Sequence, residues 1–168
     1  MTVDGRNDIK EHNDHNELNA ELDKVMLVGY IQTLFSITES RFRLFVIAIN
    51  PNACNNGRDS FSNIYTHLLS KINKKKYKGM LNLFTHIRNT IHNNGVYLAK
   101  DEDDPKPHAL KYKGNTYRFE DGKAVDYKRH SFELIFYEIT PDIIHMFEDI
   151  ILNSKEILNI SHIEGRLL

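Results

Sequence analysis

The chain has 168 residues, with 22 Lys and Arg against 23 Asp and Glu and a formal net charge of −1. That length suits one domain with a real core, and the near-neutral charge argues against a strongly basic nucleic-acid binder, so that any RNA site must be a local patch. Cys54 is the only cysteine, which excludes a disulfide framework and a thiolate zinc cluster and points to a reducing, cytoplasmic setting.

Residues 1–15 are rich in Asp, Asn and His with almost nothing to bury, and read as a flexible N-terminal arm. His12 and His15 in such an arm are read as solvated residues, not as a metal site. No apolar signal region follows the N-terminus, and the longest apolar run, Leu44 to Ile49, is too short to span a membrane.

From Asn16 to about Asn50 runs the longest helical pattern, with Leu18, Leu22, Val25, Met26, Leu34, Phe35, Phe42 and Phe45 as its apolar positions. Gly29 allows a bend there. A helix of this length calls for a second partner to cover it, often another subunit. Within it, Glu39, Arg41 and Arg43 are either a solvated charged face or a group that orients a neighbouring site or holds phosphate.

Asn50 to Gly57 is a loop by composition. Asp59 or Ser60 then caps a second helix, whose apolar residues keep helical spacing from Phe61 to Ile72 and which extends to about Lys76. Lys74, Lys75 and Lys76 suit the dipole at its end and would also serve an RNA backbone as point charges. The short Tyr77-Lys78-Gly79 connection makes the next helix an antiparallel neighbour.

That next helix carries the most informative stretch, Met80 to Gly95. Met80, Leu83, Phe84, Ile87 and Ile91 form an apolar stripe, and Asn94-Gly95 offers a left-handed cap. At roughly 100° per residue, Arg88 and His92 lie one turn apart on the flank of that stripe. A five-donor guanidinium thus stands beside a titratable imidazole at the edge of a buried surface.

After Gly95 the pattern changes. Val96 to Leu98 is extended, Asp101 to Pro107 is a solvated acidic loop, and Leu110, Tyr112, Tyr117 and Phe119 alternate around a hairpin turn at Lys113-Gly114. Asp121-Gly122 is a second turn, with a third short strand at Ala124-Val125. This ribbon, about 96–126, either covers the core or presents Lys111, Tyr112, Lys113, Tyr117 and Arg118 to bases and phosphates. Ser131 to Ile139 suits a short helix better than a strand. Thr140-Pro141-Asp142 reads as the cap and first turn of a closing helix that extends to about Asn159, with 161–168 as a tail. One helical domain, 16–160, follows.

The run RNTIHNNGVY, late in an amphipathic helix of a mostly helical chain, resembles plasmid- and defence-associated families of the HEPN superfamily. Asn89 matches the polar residue that commonly follows the motif Arg. Three residues separate Arg88 from His92, where the family motif has four to six. The resemblance implies an antiparallel helical bundle and a metal-independent endoribonuclease, toxin or defence-related, that needs no cofactor. His92 would be general base or acid and Arg88 would bind the phosphate, with Asn89, Asn93, Glu39 and Arg43 orienting or binding substrate. It also implies a homodimer, which supplies a second His, RNA as substrate with 2′,3′-cyclic phosphate ends, and an antitoxin or other protein partner. The alternative is a non-catalytic HEPN-like dimer that serves as a binding or scaffold protein.

Overall fold

A computed structural model describes residues 4–50, 59–98, 108–124 and 133–153, with side chains from His15 onward. The described chain is mainly helical, with one two-stranded antiparallel sheet. Helix α1 (Asp4–Ile49) is packed on by α2 (Phe61–Lys71) and α3 (Lys78–His92), while α4 (Thr140–Asn153) reaches it through Phe147, which meets Phe42 and Phe45 of α1 at ring distances of 5.9 and 6.0 Å.

α1 is a single 46-residue helix that runs through Gly29 without a break, about 70 Å long at ~1.5 Å per residue. It begins at Asp4, not at Asn16, so residues 4–15 are helical. No proline interrupts the segment. Only the second half meets the core: Ile31, Phe35, Phe42, Phe45 and Val46 are buried, whereas every residue from His15 to Met26 is exposed.

α2 starts where Ser60 accepts a hydrogen bond from the Asn63 amide at 3.4 Å. It stops at Lys71, sooner than apolar spacing alone suggests. Asn73 takes a left-handed φ of 58°, and the Lys74 amide reaches back to the Leu69 carbonyl at 2.8 Å, a Schellman stop with Asn in the position glycine usually takes. The three lysines therefore lie in a connector with a 3-10 turn (Lys75–Tyr77), not in the last turn of α2. Asp149 of α4 holds this connector. It accepts from Lys74 Nζ at 2.7 Å, Tyr77 Oη at 2.7 Å and Asn153 Nδ2 at 2.8 Å, and pairs with Lys76 Nζ at 3.0 Å. These donors, Lys74 foremost, hold its carboxyl well below the usual carboxylate range.

α3 ends as its sequence directs. Asn94 (φ 56°) and Gly95 (φ 87°) turn the chain left-handed, and the Gly95 amide reaches the Thr90 carbonyl at 2.8 Å. Its stripe is the centre of the core: Leu81, Leu83 and Phe84 are fully buried, Met80 and Ile87 nearly so, and Ile91 half-buried.

The hairpin pairs β1 (His108–Tyr112) with β2 (Asn115–Phe119) in the register Tyr112↔Asn115 to His108↔Phe119. Lys113 (φ 45°) and Gly114 (φ 82°) form its two-residue turn. Among the described residues there is no third strand: Ala124 makes one isolated bridge with Val96. β1 packs on α3. Tyr112 is buried and its hydroxyl donates to Asp142 of α4 at 2.6 Å, so it is not a free stacking platform; burial foremost, then Asp142, pushes its phenol far above the usual range.

A π-helical segment, Leu134–Ile139, leads straight into α4. The helix expected across 131–139 is present over its described part, but Thr140-Pro141 is not a start. Thr140 sits inside a continuous helix, and its amide and hydroxyl both donate to the Ile135 carbonyl, the hydroxyl at 2.7 Å. The wider π turn accommodates a proline that cannot donate an amide hydrogen. The expected loops at 51–57 and 101–107, Val125, the end of the closing helix near Asn159 and the tail 161–168 lie outside the described residues. No helix among the described residues is long and apolar enough to cross a membrane.

Candidate functional site

Arg88 lies in the penultimate turn of α3, half-buried. Its guanidinium carbon stands 5.0 Å from the centre of the Phe35 ring of α1. Phe35 in turn meets Phe61 of α2 at 5.0 Å, edge-on, and Phe84 of α3 at 5.5 Å. Arg88 thus caps a column of rings contributed by three helices, and the ring face attracts its charge. Nη1 of Arg88 donates to Oδ1 of Asn89 at 3.2 Å. Among the described residues Arg88 forms no ion pair, so a cation held in place on an aromatic face keeps further N–H donors for an anion.

His92, the last residue of α3, is exposed. Helical spacing sets it one turn beyond Arg88 on the same flank, and no hydrogen bond ties its ring to a described residue. Asn93 is the C-cap, half-buried, its amide directed at the Asn89, Thr90 and Ile91 carbonyls. Arg88, Asn89, His92 and Asn93 therefore share the C-terminal end of α3. Glu39 and Arg43 do not join them through any hydrogen bond or ion pair. Arg43 donates to Glu39 Oε1 through Nε at 3.1 Å and Nη2 at 2.5 Å, and to the Asp59 carbonyl at 3.1 Å. The pair braces the entry to α2, one turn along α1 from Phe35.

A second constellation has no signature in the sequence. His86 of α3 stacks on Tyr97 at 5.6 Å and lies 5.5 Å from His108 and 5.1 Å from Phe119 of the hairpin. His86 Nδ1 lies 2.9 Å from the Asn82 carbonyl. Burial, and then Asp121, pushes the Tyr97 phenol up. These rings come from separate elements, and no local spacing announces their meeting. An open groove of about 750 Å³ runs between α2 and α3, bordered by Ser62, Thr66, His67, Lys78 and Asn82. Neither Arg88 nor His92 borders it. Among the described residues no three His, Cys, Asp or Glu side chains gather closely enough to hold a metal ion.

Comparison with protein-family models, with curated proteins and with solved structures finds no match for this chain. The chemical reading therefore rests on the residues themselves. A fixed guanidinium with spare donors and an exposed imidazole one turn away form a pair able to bind a phosphodiester and move a proton beside it.

Proposed function

We propose that the protein is a metal-independent endoribonuclease of the HEPN kind, a helical bundle that acts as a homodimer through Arg88 and His92. The observation that carries this reading is the guanidinium of Arg88, fixed on Phe35 at 5.0 Å and free of any carboxylate among the described residues, one turn from the exposed His92. The chemistry needs only the substrate's own 2′-hydroxyl. An imidazole takes its proton as O2′ attacks phosphorus. The bond from phosphorus to O5′ breaks, a second imidazole protonates the leaving 5′-oxygen, and a 2′,3′-cyclic phosphate remains. Arg88 donates to the phosphate oxygens as charge grows on them. Asn89 holds the guanidinium in place. One chain supplies one His at this end of α3, so the second proton transfer falls to the partner copy.

A second reading is favoured by the same stack. An Arg laid on a ring of the core column contributes packing as well as charge, which suits a non-catalytic dimer that binds a partner.

The test incubates purified protein with a mixed-sequence RNA in chelator, beside the Arg88→Ala/His92→Ala double variant, and maps the product ends. Cleavage that needs both residues and leaves cyclic phosphate supports the ribonuclease. Equal cleavage by both proteins, or none by the well-folded parent, refutes it.

A further inference from the structure

Helix α1 carries two apolar faces, and among the described residues only one is covered. At roughly 100° per residue, Leu18, Leu22, Val25, Met26, Leu44 and Ile47 fall within an arc of about 100°. Ile31, Phe35 and Phe42, which are buried, point to the opposite side. The stripe residues are 38% to 67% exposed. Between its two large ends the same arc holds Gly29, Thr33, Ser36 and Ser40, all exposed, with Arg43 at its margin. A Cβ built on Gly29 meets nothing within 4 Å. An isolated helical stretch such as 15–26, bare on all sides, is marginal in water, and this one displays four large apolar side chains.

Leu18 and Leu22 on one side of Thr33 are matched at nearly equal distances along the helix by Ile47 and Leu44 on the other. We infer that this stripe is the surface on which a second copy of the chain docks, α1 against α1 in antiparallel orientation about a two-fold axis near Thr33. In that register Leu18 lies against the partner's Ile47, Leu22 against the partner's Leu44, and Gly29 against the partner's Ser36. The small central residues let the two backbones approach closely. Charge agrees on both flanks. Glu21 comes level with the partner's Arg43 on one side, and Asp23 with the partner's Arg41 on the other. A parallel pair instead sets Arg41 beside the partner's Arg43, which like-charge repulsion disfavours. The six apolar side chains offer about 600 Å² per copy, close to the ~800 Å² per partner of a standard-size interface once the rim is added.

This interface deepens the homodimer part of the function proposed above, and rests on that part alone. Phe35, which carries Arg88, lies within about 4 Å of the axis measured along α1 at ~1.5 Å per residue.

The experiment uses the full chain at micromolar concentration. Light scattering after gel filtration is expected to give twice the chain mass. Leu22→Glu/Leu44→Glu is expected to give a monomer whose far-UV circular dichroism still reports folded helices, since both side chains are exposed in the single chain. In a Cys54→Ser background, Leu18→Cys and Ile47→Cys chains are expected to form a disulfide-linked dimer when mixed and none when each is kept alone. A monomeric parent, a dimer that survives the double Glu substitution, or self-linking of the Leu18→Cys chain overturns the proposal. RNA cleavage is read separately: a dimer of this register that cuts no RNA upholds the interface and removes the ribonuclease, whereas a monomer that cuts removes the interface and the shared-site mechanism and keeps the ribonuclease activity.

Discussion

Asp149 is the joint between α4 and the connector that precedes α3, and its removal has a size that the geometry sets. Asp149→Ala leaves the Tyr77 hydroxyl, on a residue 8% exposed, without its acceptor, and strands the Lys74 ammonium on a side chain 20% exposed. A buried hydroxyl left unpaired costs about 1–3 kcal/mol and a hydrogen bond to a charged group contributes about 1.5–3 kcal/mol. The two losses overlap, and Lys74 recovers part of its hydration, so the expected destabilisation is about 2–4 kcal/mol. Lys76 adds little, because its side chain is 62% exposed. Asp149→Asn keeps an acceptor but no charge, and should lose about half as much. The pH dependence has a definite sign. The folded-state pKa of Asp149 lies below its ordinary value of 3.8. Its charge therefore stabilises the fold fully above pH 3.8, and that contribution is lost as acid drives the pH down through the folded pKa. Urea titrations followed by circular dichroism measure both effects. With a slope of about 1–3 kcal/mol per molar urea, the Ala midpoint should fall by roughly 1–2 M at pH 7. The gap between parent and Asn variant should hold from pH 7 to 5 and close in more acid solution. An Ala variant within 0.5 M of the parent, or a gap that persists in strong acid, would show that this carboxylate does not hold the connector.

Arg88→Ala removes the stack on Phe35 and one hydrogen bond at 3.2 Å, so thermal melting should report a loss of only about 1–2 kcal/mol. If Arg88 stabilises a transition state, RNA cleavage should fall by about 10²–10³ in the same variant, while Arg88→Lys keeps the charge without the fork and recovers little. Phe84 is fully buried against Phe35. Phe84→Ala should destabilise by about 3–5 kcal/mol in urea titrations. Gly114→Ala meets no atom within 4 Å but must hold φ near +82°, so it should cost about 1 kcal/mol through backbone strain alone; Gly114→Asn, measured beside it, should cost less.

The sequence by itself determined the features that depend on neighbours within a turn or two. The stripe of α3 is legible because 3.6-residue spacing gathers Met80, Leu83, Phe84 and Ile87 on one face, and its stop because Asn94-Gly95 accept left-handed backbone at little cost. The hairpin is legible because alternation and a turn glycine act locally. The end of α2 is less so: Asn73 stops it before the lysines, although Ile72 continues the apolar period. Thr140-Pro141 misleads for a related reason, since a π turn upstream, supported by tertiary packing, absorbs the missing amide hydrogen. Only the tertiary structure decided where charged side chains find partners. Arg88 rests on Phe35, Arg43 on Glu39 and the Asp59 carbonyl, Lys74 on Asp149, and His86 among rings of the hairpin, and three of these four matings join residues far apart in the chain. Local spacing fixes which face of a helix a side chain occupies. Which residue of another element stands opposite that face depends on how the helices pack, and helical periodicity carries no record of it.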